Sequence, residues 1–191
     1  MTFRRGFKSQ CERRSVEFRK HLGSSPTAPL SAEDLAHSLG IVVWSTLQIA
    51  GIPSEHLEVL NDLADDSWAA LTLRISSSNL IVYKPVPSTG RRNNVVMHEL
   101  AHIILGHDLA QACLLDNGSL VPGNFNQDQE DEADWLAGTL LLPRPALLSI
   151  RERNLVDAEA CQEYQVSQDM LNWRVRMTGI DYQVARSSRA A

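Results

Sequence analysis

Two histidines and a glutamate stand within five residues in the segment His98-Glu99-Leu100-Ala101-His102. On an α-helix, residues four apart are rotated by about 400°, so the imidazoles of His98 and His102 would leave one face about 40° apart. Neutral imidazole binds zinc, and a catalytic zinc usually has three protein ligands and a water molecule. Glu99 would lie beside that water, where a carboxylate can accept its proton and later donate it to a leaving amine. The spacing predicts two metal ligands and a general base for hydrolysis.

The residues that follow His102 exclude one class of zinc peptidase. The metzincin pattern HExxHxxGxxH needs glycine and histidine where this chain has Leu105 and Asp108. His107 lies about 140° further round a helix than His102, and we expect it to cap the helix end near Gly106 or to point to solvent. The third ligand must therefore come from another part of the chain.

An acidic segment later in the chain offers that ligand. Glu130 and Asp134 are four residues apart on a predicted helix and share one of its faces. We assign Glu130 to the metal and Asp134 to a hydrogen bond with the ring N–H of a ligand histidine, which would hold its tautomer. Glu132, about 200° from Glu130, is the alternative ligand. A second interpretation is that the segment, including Asp131, is only a solvated acidic first turn, whose negative charges interact favourably with the helix dipole.

Hydrophobic periodicity predicts a mainly helical chain with a small β-sheet. Helices are expected at residues 3–22, 32–39, 53–63, 93–106, 129–142, from 146, 157–164 and 167–177. Strands are expected at residues 41–44, 68–75 and 80–84. The first strand is expected to be buried, and the other two to pair as an antiparallel hairpin. Residues 116–129 are predicted to form a loop over the site, and residues 181–191 a polar, frayed tail.

The composition is that of an ordinary globular protein, because 43% of the 191 residues are hydrophobic and 21% are charged. No stretch reaches the roughly 18 apolar residues of a membrane helix, and the basic N-terminus lacks the apolar run of a secretory signal. We therefore expect a cytoplasmic location. Cys11, Cys113 and Cys161 form no CxxC pair and are predicted to be free thiols rather than zinc ligands.

Four segments are expected along the chain. Residues 1–24 are predicted to form a basic helix with Phe7, Cys11 and Phe18 turned inward. Residues 25–150 are expected to form the domain that carries the metal site, residues 151–180 a helical segment, and residues 181–191 a polar tail.

The helical segment is loosely similar to a helix-turn-helix around residues 160–176. Gln165 stands where glycine is common in the turn, and few side chains could read bases, namely Gln168, Asn172 and Arg174. The net charge of −5 also disfavours nucleic-acid binding by the chain as a whole. We therefore expect these helices to pack or to dock a partner rather than to bind DNA.

Three ordered motifs resemble the ImmA/IrrE family of bacterial metallopeptidases. They are His98-Glu99-Leu100-Ala101-His102 with Gly106-His107, Glu130-x-Glu132-Ala133-Asp134-x-x-Ala137, and Leu140-Leu141-Leu142-Pro143. The resemblance covers about residues 30–145 and includes the preceding strand Ile81-Val82-Tyr83-Lys84-Pro85. It implies an α+β, zincin-like core, with a small antiparallel sheet packed on the HExxH helix and on the helix of the third ligand. It also implies zinc, and Glu130 rather than Glu132 as that ligand.

The favoured function is that of a zinc endopeptidase, with Mn²⁺ as the alternative to Zn²⁺. The resemblance implies site-specific cleavage of a helix-turn-helix repressor that controls stress-response or mobile-element genes. The strand at residues 80–84 could present its edge to an extended substrate, and Tyr83 is a candidate for stabilising the oxyanion. The alternatives are a zinc-dependent regulator that sequesters a transcription factor, and a DNA-binding regulator. Glu99 favours the peptidase, because a structural zinc needs no base beside its ligands.

Overall fold

Helices surround a small three-stranded sheet, which confirms the mixed α+β class predicted from the sequence. The computed structural model describes residues 3–62, 68–75, 78–108, 112–114, 120–122 and 126–187. The helices are α1 Phe7–His21, α2 Ala32–Ser38, α3 Ser54–Leu60, α4 Thr89–Leu105, α5 Gln127–Leu141, α6 Arg144–Glu152, α7 Asp157–Tyr164, α8 Gln168–Thr178 and α9 Ile180–Ser187. The strands are β1 Val42–Ser45, β2 Ala70–Ile75, β3 Ser78–Tyr83, β4 Ala112–Leu114 and β5 Leu120–Pro122. None of the helices described is long and apolar enough to cross a membrane.

The sheet has the strand order β1-β3-β2, so β3 is its central strand. Strands β2 and β3 form the predicted antiparallel pair, but β1 joins the other side of β3 in parallel, which makes the sheet mixed rather than antiparallel. The prediction that residues 80–84 offer a free edge is therefore wrong, because β1 comes from a distant part of the chain and occupies that edge. Strand β1 is itself an edge and is less buried than predicted, since Val42 is 44% exposed and Trp44 41%.

Helix α4 begins before the predicted residue 93 because Ser88 caps it. The Ser88 hydroxyl accepts the Arg91 backbone N–H at 3.1 Å, and Gly106 ends the helix in the left-handed conformation at φ 72°. Helix α5 begins at Gln127, inside the predicted loop, because Asn126 accepts the next free N–H groups. Strand β4 lies before that predicted loop and β5 lies within it, and the two strands pair antiparallel. The other loop residues up to 125 are outside the described part of the chain.

The predicted frayed tail is wrong for residues 181–187, which belong to α9. This helix contacts α6 and α8, its first residue Ile180 is fully buried, and Arg151 Nε donates to Asp181 Oδ1 at 2.7 Å. Polar composition alone suggested fraying, whereas a single buried isoleucine and an ion pair anchor the helix. Residues 188–191 lie outside the described chain.

Helix α1 packs against α5 with Phe7 and Cys11 buried, as predicted, and Phe18 partly buried. The same face also buries Arg19, whose guanidinium donates to the Ala28 carbonyl at 2.8 Å, the Ser15 hydroxyl at 2.7 Å and the Leu141 carbonyl at 3.3 Å. Burial lowers the pKa of Arg19 to about 10, so the group stays charged at neutral pH. The basic N-terminal helix is thus tied by one cation to the end of α5.

The C-terminal helices pack on the rest of the protein, and this excludes one predicted base-reading residue. Arg174 of α8 is completely buried; it donates from Nε to the Leu142 carbonyl and from Nη2 to Glu12, both at 3.0 Å. It is therefore unavailable to DNA. Gln165 adopts φ 50° at the turn between α7 and α8, the conformation for which glycine would be favoured. The division into segments at residues 24, 150 and 180 remains a prediction.

Two glycines allow the C-terminal helices to approach this closely. A Cβ on Gly90 of α4 would lie 2.7 Å from the backbone carbonyl carbon and oxygen of Val166, and a Cβ on Gly138 of α5 would lie 2.5 Å from the Trp173 ring. The Val166 backbone cannot move aside as a flexible side chain could. Position 90 therefore requires glycine if the α7–α8 turn is to lie against α4.

We expect Gly90→Ala to destabilise the protein by about 1 to 2 kcal/mol, because overpacking outweighs the gain in helix propensity. Urea unfolding followed by circular dichroism measures the change. Thr89→Ala, at the exposed neighbouring position, should change stability by less than about 0.5 kcal/mol. A Gly90→Ala protein as stable as the wild type would contradict the close approach.

Candidate metal centre

The candidate centre lies where α4 and α5 run antiparallel. His98 Nε2 is 3.1 Å from His102 Nε2 and 3.2 Å from Glu130 Oε2, and His102 Nε2 is 3.6 Å from Glu130 Oε2. Among the described residues, these three form the group of histidine, cysteine and acidic side chains whose ligand atoms all lie within 4.8 Å of one another. The structure thus brings together the three ligands assigned from the sequence.

The spacing of the three atoms fits one small cation. Ligands about 2.05 Å from a tetrahedral zinc stand about 3.3 Å apart, which falls within the 3.1 to 3.6 Å found between these atoms. Two imidazoles and one carboxylate are also a donor set that a catalytic zinc accepts. His98, His102 and Glu130 therefore suit a divalent metal.

Asp134 lies behind His98, one helical turn after Glu130. Its Oδ1 is 2.9 Å from His98 Nδ1, so the ring N–H at Nδ1 can donate to the carboxylate. A proton held at Nδ1 leaves the Nε2 lone pair directed at the other two ligand atoms. This is the contact predicted for Asp134, and it would hold the ring in the tautomer that binds metal.

His107 and Glu132 form a matching pair behind His102, which the sequence did not predict. His107 Nε2 can donate to Glu132 Oε2 at 3.2 Å, and His107 Nδ1 can then accept the N–H of His102 Nδ1 at 3.0 Å. The His107 side chain is only 6% exposed, so the alternative that it points to solvent is wrong, whereas its backbone N–H does cap the helix end by donating to the His102 carbonyl at 3.0 Å. Helical angles do not apply after Gly106, where the left-handed turn directs His107 back towards His102. Glu132 thus contacts His107 instead of serving as the alternative ligand.

Glu99 is held by the sheet. Thr72 of β2 donates from Oγ1 to Glu99 Oε2 at 2.6 Å, which connects the candidate base to an edge strand. Burial raises the pKa of the Glu99 carboxyl, and the hydrogen bond from Thr72 opposes this rise. A carboxyl with a raised pKa holds a proton more readily, which suits a group that must accept a proton and then donate it.

The imidazoles differ sharply in proton affinity. Burial disfavours the charged form of His98, but the hydrogen bonds with Asp134 and Glu130 outweigh it and raise the pKa of His98 to about 10. Burial and the nearby charge of His98 lower the pKa of His102 to about 4. The hydrogen bond from His98 lowers the pKa of Glu130. In the absence of a metal, one proton on His98 therefore partly neutralises the carboxylates.

A cleft of about 360 Å³ opens beside the centre. Its lining residues come from the start of β2 and from α4, α5 and α8: Ala69, Ala70, Asn94, Val95, His98, Glu99, Asp134, Ala137 and Met170. Tyr83, the candidate for oxyanion stabilisation, is 9% exposed in the core and does not line this cleft.

Several of these residues could not be recognised from the sequence. Thr72 is a polar residue between apolar neighbours in a strand, which indicates a face but not its partner. Asn94 lies one helical turn before His98, so its position facing the cleft could have been inferred from helical spacing. No local sequence pattern indicated that Met170 lines the cleft, because it reaches the cleft only through the docking of α8.

The comparisons with known proteins give a family for this chain and a solved structure of similar fold. The peptidase M78 family model, described as the IrrE N-terminal-like domain, matches residues 59–176. A solved structure described as a Mycobacterium tuberculosis transcriptional regulator aligns with a TM-score of 0.54 and 16% identity over 91% of this chain. That likeness concerns the fold alone, and this chain spans only 47% of the regulator chain. Among curated proteins no match was found.

The family match extends over more than half of the chain and contains every residue of the candidate centre. It confirms the resemblance seen in the three motifs. The chain belongs to the IrrE N-terminal-like family of M78 peptidase domains.

Proposed function

We propose that this protein is a metal-dependent endopeptidase, with Zn²⁺ as the expected metal. The observation that carries the proposal is that Glu99 lines the same cleft as His98, whose Nε2 belongs to a cluster of three atoms that could bind a metal. Family membership supports a peptide bond as the target. In this proposal His98, His102 and Glu130 hold the metal, and Glu99 is the catalytic base.

The residues of the centre divide the chemistry among them. A divalent metal held here would supply Lewis-acid chemistry, polarising the peptide carbonyl and making water more acidic. Glu99 accepts a proton from the water as it attacks the carbonyl carbon, and donates that proton to the amine as the C–N bond breaks. Thr72 keeps the carboxylate oriented. Asp134 and His107 hold the two ligand imidazoles in the required tautomers.

A zincin-like arrangement follows from the same proposal, with β2 rather than β3 beside the substrate. Strand β2 is an edge of the sheet in the described part of the chain, it carries Thr72, and Ala69 and Ala70 at its start line the cleft. An extended peptide could add to this edge through backbone hydrogen bonds, which would bring its carbonyl groups past Glu99.

The substrate that the family resemblance favours is a helix-turn-helix repressor, which would place the activity in the cytoplasm, in control of stress-response or mobile-element genes. Sequestration of a transcription factor without cleavage is the alternative. It gives no role to Glu99, a half-buried carboxylate that Thr72 holds and that lines the same cleft as His98. DNA binding through α8 has less support, because Arg174 is buried.

Glu99→Gln should reduce peptide cleavage by about 10²- to 10⁴-fold while zinc remains bound, because the amide cannot accept the proton. Cleavage of a helix-turn-helix repressor encoded beside this gene is followed by mass spectrometry, and zinc content by elemental analysis. Glu55→Gln, an exposed change on α3, serves as the control. Zinc-dependent association with the repressor without cleavage, by both wild type and Glu99→Gln, would favour sequestration instead.

Glu130→Gln should weaken zinc binding by more than about 100-fold, because it removes a charged ligand, whereas Glu132→Gln should weaken it by about 10- to 100-fold through His107. Competition with a chromophoric chelator measures both affinities. Asp128→Asn removes the same charge from an exposed position of α5 and should leave zinc affinity nearly unchanged. Unchanged affinity in Glu130→Gln would contradict the assignment of the third ligand.

Zinc binding should release a proton from His98, because its pKa is about 10 without metal and a ligand imidazole must be neutral. At any pH below this value the metal displaces the proton, so apparent affinity should rise by up to tenfold per unit between about pH 6 and pH 8. Calorimetry in buffers of different ionisation enthalpy counts the protons released. Asp134→Asn should reduce that number, and zinc binding without proton release would contradict the prediction.

A further inference from the structure

The cleft beside the candidate metal centre has a reactive end and an apolar end. His98, Glu99 and Asp134 stand at the reactive end. The apolar end is formed by the alanines at positions 69, 70 and 137, by Val95 and by Met170, and Asn94 adds one amide group to the lining. At about 360 Å³ the cleft falls within the range of small-ligand sites, and the three alanines leave room within it.

We propose that the apolar end is a subsite for a large aliphatic or aromatic side chain of the peptide substrate, next to the scissile bond, and that Met170 determines which side chain is accepted. This rests on the proposed peptidase function. Since the cleft reaches Glu99, a side chain that fills it belongs to a residue adjoining the bond that is cleaved. A charged side chain would lose its hydration there and find, apart from the neutral amide of Asn94, only apolar walls at that end.

The α8 wall of this subsite is held in a defined position. Ser167 precedes α8, and its hydroxyl oxygen accepts both the Met170 backbone N–H at 3.2 Å and the Asn94 Nδ2–H at 2.7 Å. These two bonds connect the first turn of α8 to the helix that carries the ligand histidines. The same segment lies close to α4 at Gly90 and close to α5 at Gly138. The wall therefore cannot retreat freely from a side chain that is too large.

Met170 itself provides limited adaptability. Its unbranched thioether side chain is only partly buried and packs against the core, so it can change rotamer to fit different apolar partners. We therefore expect selection for apolar character and size rather than for one residue type. Hydrophobic subsites of this kind discriminate between a large apolar residue and glycine by about 10- to 100-fold in kcat/KM.

The first measurement uses the zinc-loaded full chain and a peptide library varied at single positions beside the cleaved bond. The wild type should prefer leucine, methionine or phenylalanine over glycine and lysine by about 10- to 100-fold at one position. Met170→Ala should shift the preference towards phenylalanine and tryptophan, and Met170→Trp should abolish it while glycine peptides are still cleaved. Met177→Ala, the same change at an exposed site on α8, should leave the preference unaltered.

The second measurement does not depend on catalysis. The chain has four methionines, so ¹³C-methyl labelling gives a simple spectrum in which Met170→Ala identifies the Met170 signal. N-acetyl-leucinamide should shift that signal, N-acetylglycinamide should not, and the Met177 signal should stay in place.

The two measurements separate failure of the subsite from failure of the proposed function. Cleavage without an apolar preference, or a preference that neither Met170 variant changes, would overturn the subsite and leave the peptidase intact. A shifted Met170 signal without cleavage of any peptide would support the apolar subsite and reject the peptidase. Absence of cleavage together with an unshifted Met170 signal would overturn both the subsite and the peptidase function.

Discussion

The antiparallel contact between α4 and α5 is the constraint on which the site depends. It places His98 beside Asp134 and His102 close to Glu130, so the ligand set is completed only when the two helices have the correct register. Small buried residues, Ala101 on α4 and Ala133 and Ala137 on α5, are consistent with a close approach of the helix axes. A shift of one residue in either helix would direct the carboxylates elsewhere.

The surrounding elements support this helix pair from different sides. The sheet contacts α4 and anchors Glu99 through Thr72, while α1 packs on α5 through Ser15 and Arg19. Helix α8 lies against α5 and brings Met170 to the cleft. The position of each group is thus set by a separate contact: the candidate base by a strand, the candidate ligands by the helix pair, and the cleft wall by the C-terminal helices.

The sequence could predict features that depend on local spacing, and it failed where distant segments meet. Four-residue spacing placed His98 with His102 and Glu130 with Asp134 on common faces, and capping residues gave helix ends to within a few residues. A firm distinction between Glu130 and Glu132 needed the register of two helices. The shared face with Asp134 only favoured Glu130, and the family resemblance added support. The direction of the His107 side chain was predicted wrongly because helical geometry was extended beyond Gly106. The free edge of β3 was predicted wrongly because the pairing of β1 leaves no local signal. Arg174 looked like a surface residue because its partners stand at Leu142 and Glu12.

Glu12 shows how far apart in the chain the stabilising contacts lie. Its carboxylate accepts the backbone N–H of Arg144, 132 residues later, and the guanidinium of Arg174, 162 residues later. Contacts of such long sequence separation form late in folding, because a large loop must close before they stabilise anything. During synthesis α1 leaves the ribosome well before either of these partners of Glu12 has been made. Completion of the cleft beside the candidate metal centre, whose wall includes residue 170, therefore has to wait until α8 has been synthesised.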